Sequence, residues 1–181
     1  HPLNLEFHDP RYDRLFEVYS SWGSSEYYGD FPRGVSDRWR SGMFRQAMIR
    51  GLRMGLIASA DGHDGHPGNA QSPVIKHHHL FHPLGSGRAA VLVDNLSREE
   101  VFDALYARRC YATSGPPILL DFSVNGRVMG AEIEKRGSRR PMLRVRCIGC
   151  NALKEIRIMR DERIVHTVPC HGEWSQFIEW E

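Results

Sequence analysis

The residues of this chain that could do chemistry gather in one stretch, Leu56-Ile57-Ala58-Ser59-Ala60-Asp61-Gly62-His63-Asp64-Gly65-His66-Pro67-Gly68-Asn69. A short apolar run ends abruptly in a carboxylate and two imidazoles, with glycines between them. A buried strand that delivers ligands to the mouth of a site has this texture. Asp61 and His63 are two residues apart, so on an extended backbone they share a face. A carboxylate oxygen and an imidazole nitrogen on one face can hold a divalent metal such as Zn, Mn or Fe. The glycines and Pro67 let the backbone turn tightly behind them. An Asp-x-His pair arises often by chance, and its place directly after an apolar strand is what raises it. The bland alternative is a turn aspartate at a strand end.

Other candidates carry the same two-sided reading. Glu17 lies in an apolar strand, where a buried carboxylate needs a partner; it is either an acceptor that orients a ligand or one half of an arginine pair. His66 faces substrate or solvent. Trp22, Tyr27 and Tyr28 line a pocket or seal the top of a core. Arg108 and Arg109 could bind a substrate anion, although a solvated helix end is the simpler role. His77-His78-His79 and His82 form a compositional metal tract, or a solvated loop.

Four cysteines add little. Cys147 and Cys150 form a C-x-x-C, with Cys170-His171 further on. A zinc knuckle needs matched ligand pairs at both ends, and Cys147 alternates with Leu143 and Val145 as a strand core residue would. A Cys150–Cys170 disulfide is left open, and would suggest an oxidising compartment.

The elements that must position these residues follow from periodicity. Strands are expected at Leu15–Tyr19, Leu56–Ala60, Ala89–Asp94 and Cys110–Thr113. A helix over Gly42–Met54 is closed by Gly55. Ser97 and Glu100 form a capping box for a second helix. Two long loops, 20–37 and 64–88, are of a length that is usually functional or disordered. After Pro117 the texture changes to alternating strands with an Asn125-Gly126 hairpin turn, which suggests an antiparallel sandwich. The expected domains are therefore 1–115, α/β in character, and 116–181, β-rich.

The 181 residues carry 24 Lys and Arg against 22 Asp and Glu, a net charge of +2. The basic residues are scattered, so no nucleic acid partner is expected. No apolar run is long enough to cross a bilayer, so no membrane partner is expected either. The chain begins at His1 without a charged and apolar leader. It reads as a processed product or a piece of something longer, soluble and with a cytoplasmic location favoured.

Three segments together resemble a PHP-like family of unknown function, PHP denoting polymerase and histidinol phosphatase. They are Phe16-Glu17-Val18-Tyr19-Ser20-Ser21-Trp22-Gly23-Ser24-Ser25-Glu26-Tyr27, Asp61-Gly62-His63-Asp64-Gly65-His66-Pro67-Gly68 and Tyr111-Ala112-Thr113-Ser114-Gly115. The resemblance runs from His1 to about residue 130. It implies a distorted (β/α)7 barrel with a multinuclear metal site at the C-terminal ends of its strands, and hydrolysis of phosphate esters of a small-molecule substrate. It further implies that Asp61 and His63 are metal ligands, and that His1, in His1-Pro2, is another. The family's opening His-x-His motif and the acidic ligand after it have no counterpart here. The chain thus looks like the C-terminal part of such a protein, with an upstream segment needed to complete the site.

The chemistry expected is attack of metal-activated water on a phosphoryl or similar ester centre. One rival is a binding or accessory module that has lost the metal site. Another is a secreted copper enzyme, in which the free amine and imidazole of His1 chelate copper with a second histidine; the βα pattern of the first half argues against it.

Overall fold

A computed structural model describes residues 4–20, 23–26, 43–61, 87–134, 137–138, 140–161 and 163–181. His1, Trp22, Tyr27, Tyr28, His63, His66 and the His77–His82 tract lie outside the described residues. The chain divides into two compact units, His1–Pro116 and Pro117–Glu181.

The first unit begins with β1 (Leu15–Ser20), β2 (Gly23–Ser24), α1 (Phe44–Ile49) and β3 (Gly55–Ala58). β1 and β3 pair in parallel, and β2 folds back antiparallel on β1. Parallel strands need a crossover connection, and α1 lies within it. Phe16 is buried, and its ring packs on Phe44 of α1 with centroids 5.5 Å apart. Strand alternation then turns Glu17 to the opposite face, where it is exposed rather than buried.

The helix end expected at Gly55 falls at Gly51 instead. Gly51, at φ 74°, ends α1. The Gly51 and Leu52 amides return to the Met48 and Ala47 carbonyls, a Schellman closure. Gly55 instead opens β3, where a Cβ would lie 3.0 Å from Arg108 Cβ and 3.1 Å from Cys110 Sγ.

β4 (Arg88–Val91) and β5 (Cys110–Thr113) pair antiparallel, with α2 (Arg98–Tyr106) between them in sequence. The Ser97 hydroxyl accepts from the Glu100 amide at 3.1 Å. The Glu100 carboxylate reaches past Ser97 to the amide and side chain of Asn95, each at 2.8 Å. At the other end, Arg108 takes φ 62°, and the Arg108 and Arg109 amides bond the Leu105 and Ala104 carbonyls. An arginine thus holds the left-handed position that glycine usually fills. β5 lies against β3. Cys110 meets Gly55 at the starts of these strands, and Gly87, just before β4, meets Ala58 at the end of β3.

The expected C-terminal part of a distorted (β/α)7 barrel is not formed. The described residues hold short strands in several small sheets and two α-helices. A barrel repeats parallel strands, each followed by a helix. Here β2 and β4 enter antiparallel, and the helix α2 joins an antiparallel pair. Hydrophobic periodicity distinguishes strand from helix but carries no information on strand direction.

The second unit holds β6 (Leu119–Val124), β7 (Arg127–Val128), β8 (Leu143–Ile148), β9 (Glu155–Arg160), β10 (Arg163–Pro169) and β11 (Ser175–Trp180). Four strands form an antiparallel sheet in the order β11-β8-β6-β7, and β9 and β10 form a separate hairpin. The inward residues Leu143, Val145 and Ile178 of the sheet pack with Ile158 of the hairpin, flanked by Phe122, Val165 and Trp180. The result is two layers around one apolar core, as in a β-sandwich. His166 of β10 stacks on Trp180 of β11, centroids 5.0 Å apart and planes 10° apart, fastening one layer to the other. Asn125 (φ 51°) and Gly126 (φ 73°) make the β6–β7 turn, with the pair of positive φ values that a tight hairpin requires. Among the described residues, no helix is long and apolar enough to cross a membrane.

Two outcomes test this packing. A Cβ at Gly87 would fall 2.6 Å from Ala58 Cβ, 2.8 Å from the Tyr19 carbonyl and 3.0 Å from the Ser59 carbonyl. Gly87→Ala is therefore expected to destabilise the first unit by about 1–3 kcal/mol in urea denaturation; an unchanged midpoint would show that the strand ends are not so close. Separately, hydrogen bonds from Asn95, its backbone first, hold the Glu100 carboxyl below its usual 4.5. A carboxyl lowered in the folded state stabilises the fold above its ordinary value, and that contribution is lost as pH falls through the lowered one. Glu100→Gln should flatten this acid limb in a thermal unfolding series taken from pH 5 downward.

Candidate metal site at the end of a parallel strand pair

Of the candidate residues that fall among the described ones, Glu17 and Asp61 lie near the end of β3. The parallel register runs Leu15↔Gly55, Phe16↔Leu56, Glu17↔Ile57 and then Tyr19↔Ala58, so β1 carries one extra residue between Glu17 and Tyr19. Bulges of this kind re-aim side chains and recur beside active sites. Beyond the bulge the Ser59 amide still bonds the Tyr19 carbonyl, at 3.1 Å. The pairing therefore persists past the formal strand end and fixes Ser59 against β1.

Ser59 is the centre of the arrangement. Its hydroxyl donates to Glu17 Oε1 across the two strands. The Ser59 Oγ also accepts from the Asp61 amide at 3.2 Å, an ST-turn. Asp61 takes φ 48°, a left-handed conformation that costs an L-residue energy and that Asp tolerates better than most. Residues held in such regions concentrate at functional sites. One serine thus ties the carboxylate of Glu17 to the backbone that presents Asp61.

The extended-backbone reading of Asp61 and His63 needs correction here. β3 stops at Ala58, and the left-handed Asp61 is not part of a strand. The alternation that places residues i and i+2 on one face does not carry through it. Glu17 is also corrected: it is an exposed carboxylate that accepts from the Ser59 hydroxyl, not a buried one.

Arg109 lies at the opposite end of the strands. It precedes β5, whose first residue Cys110 meets Gly55 at the start of β3. The length of β3, about 3.3 Å per residue, separates it from Asp61. The Arg109 charge acts on Glu100 and helps to keep that carboxyl ionised. Arg109 is thus not placed beside Asp61. Thr113 sits at the favourable end instead, paired to Arg88 next to Gly87, and its hydroxyl accepts from the Gly115 amide at 3.4 Å.

The donor chemistry of Glu17, Ser59 and Asp61 is all oxygen, which suits a hard divalent cation. Among the described residues no group of three or more His, Cys, Asp or Glu side chains is placed to hold a metal ion. His63, His66 and His1 lie outside those residues. The zinc knuckle considered for Cys147, Cys150, Cys170 and His171 is likewise not assembled. Cys147 is a buried residue of β8, and Cys150 is exposed.

A protein family of unknown function, DUF3604, matches residues 69–138. An uncharacterized protein of Chlamydia pneumoniae is 30% identical over 92% of this chain and 27% of its own length. One of Chlamydia trachomatis serovar D is 30% identical over 94% of this chain and 28% of its own. A third, of Chlamydia muridarum, is 28% identical over 86% of this chain and 26% of its own. The chain spans about a quarter of the length of these relatives. No solved structure matches it.

Ser59 was the residue that motif reading missed. A serine two residues before a turn aspartate is a local signal for an ST-turn. Its bond to Glu17, 42 residues away in sequence, has no local signal. A double-mutant cycle tests the tie. Ser59→Ala and Glu17→Gln should each destabilise the first unit, with a coupling of about 0.5–1.5 kcal/mol between them. Additive effects would mean that the two side chains do not interact in solution.

Proposed function

We propose that this chain supplies part of a divalent-metal site to a metal-dependent hydrolase acting on a phosphate ester or similar ester. Asp61 is the leading ligand. Glu17 is a second oxygen donor or the acceptor that orients the site through Ser59, and His63 and His1 are the nitrogen donors. The observation that carries this reading is the left-handed Asp61 (φ 48°), held just past a parallel strand by a serine that also binds Glu17. The order of the quoted segments, which resembles the PHP superfamily, supports it. When bound, the cation would lower the pKa of a water and neutralise charge on the substrate's phosphoryl oxygens. The chain's own part is to present carboxylates, with Ser59 holding the Glu17 carboxylate and the Asp61 backbone. This reading does not require a barrel, because the site depends on one strand end and the loop beyond it.

The test uses the protein at its natural length, purified without chelators. Elemental analysis should find bound Mn, Fe or Zn, and hydrolysis of p-nitrophenyl phosphate should depend on it. Asp61→Ala and His63→Ala should each reduce metal affinity by at least the roughly 10–100-fold that loss of even an outer partner costs. Unchanged metal stoichiometry in both variants would overturn the reading. Absence of metal from the folded wild type would favour the accessory module instead.

A further inference from the structure

We propose that β11 is a pairing edge, at which a second copy of this chain adds its own β11 antiparallel so that one sheet runs through both copies. β11 is an outer strand of the sheet β11-β8-β6-β7, and its pairing with β8 runs from Ser175 to Trp180 without a register shift. The opposite outer strand, β7, has two residues. In the hairpin, β10 carries a bulge between Ile164 and His166 and ends in Pro169. Short strands, bulges, prolines and lysines are the devices that stop an edge from pairing. The segment Ser175-Gln176-Phe177-Ile178-Glu179-Trp180 has none of them.

The hydrogen-bond phase decides which groups this edge offers. The loop at 149–154 clamps the turn before β11. The Leu153 amide bonds the Glu173 carbonyl, and the Gly149 amide bonds the Trp174 carbonyl, each at 2.8 Å. The second of these bonds extends the β8–β11 ladder by one pair, since Ile148 already lies opposite Ser175. Hydrogen-bonded and non-hydrogen-bonded positions alternate along an antiparallel pair. Gln176, Ile178 and Trp180 therefore turn their N–H and C=O groups to β8. Ser175, Phe177 and Glu179 turn theirs to the open side, where among the described residues no strand meets them. The far side of β8 agrees: the Asn125 amide bonds the Met142 carbonyl at 2.8 Å, which commits the even-numbered residues of β8 to β6 and leaves the odd-numbered ones to β11.

The partner that these groups fit is β11 itself. Residues directly opposite in an antiparallel pair share a face, so a two-fold axis relating two β11 strands passes through a residue and not between two. An axis at Phe177 sets Phe177 opposite Phe177, and Ser175 of each copy opposite Glu179 of the other. Every edge-facing N–H and C=O of Ser175, Phe177 and Glu179 is then used. An axis at Gln176 leaves Glu179 with nothing opposite it in β11, and an axis at Ile178 leaves Ser175 so. Charge agrees with the same choice, because like charges directly opposite are destabilising. Glu179 meets a serine hydroxyl while its carboxylate stays on Arg144 of β8 at 2.7 Å. Phe177, 59% exposed in the single copy, meets its own ring across the axis and loses water contact there. An isologous contact of this kind closes at two copies and does not grow into a fibre.

The experiment takes the protein at its natural length. Analytical ultracentrifugation at micromolar concentration should give twice the monomer mass. Phe177→Lys should give the monomer mass with an unchanged circular dichroism spectrum. Phe177→Pro removes an N–H that faces the open edge, where proline is tolerated, and should do the same. The four native cysteines are free and Cys150 is the exposed one, so cross-links are read on Cys150→Ser. There Phe177→Cys, oxidised with diamide, should form a dimer linked through position 177, since a hydrogen-bonded pair sets its Cα atoms about 5.5 Å apart, within disulfide reach. Ser175→Cys and Glu179→Cys should cross-link when mixed and not when each is oxidised alone. A monomeric wild type, a dimer that survives both Phe177 variants, or cross-links in another register would each overturn the proposal.

Discussion

The first unit depends on the parallel register between β1 and β3. That register, with its one-residue bulge before Tyr19, decides which side chains reach the end of β3 together. Phe16 turns toward α1 and anchors the crossover. Glu17 turns away and meets Ser59. Moving the register by one residue would exchange these faces, burying a carboxylate and exposing a phenyl ring. The close approach of Gly87 to both strand ends restricts the same region from the side of β4. An apolar constraint on one face thus sets a polar arrangement on the other.

The second unit uses different physics. Its alternation is strict in β8, where buried and exposed residues follow each other from Leu143 to Cys147. That pattern specifies which face joins the core, and the β9–β10 hairpin covers it. The stacking of His166 on Trp180 and the clamp at 149–154 fix the layers at separate points.

Much of the element order was legible in the sequence because it rests on local signals. The strands at Leu15–Ser20, Cys110–Thr113 and Leu143–Ile148 match their apolar runs closely. The Ser97 cap and the Asn125-Gly126 turn act within four residues of themselves. The misreadings share a cause: they concern what lies across space. Gly55 looked like a helix end, but its absent side chain serves Arg108 and Cys110 instead. The barrel failed because strand direction is set by pairing partners that periodicity does not show. Of the site, Asp61 and Glu17 were identifiable by residue type. Their common partner Ser59 and the left-handed backbone of Asp61 were not, since both arise from the fold.

The claim at the centre is that Glu17, Ser59 and Asp61 form one oxygen-rich corner able to receive a divalent cation. The most direct measurement is a Mn²⁺ titration of the isotopically labelled chain, following paramagnetic broadening of backbone amides. Broadening centred on residues 17–20 and 58–61 at low metal ratios is the predicted result. Broadening spread evenly over surface carboxylates, or centred elsewhere while these amides stay sharp, would contradict it.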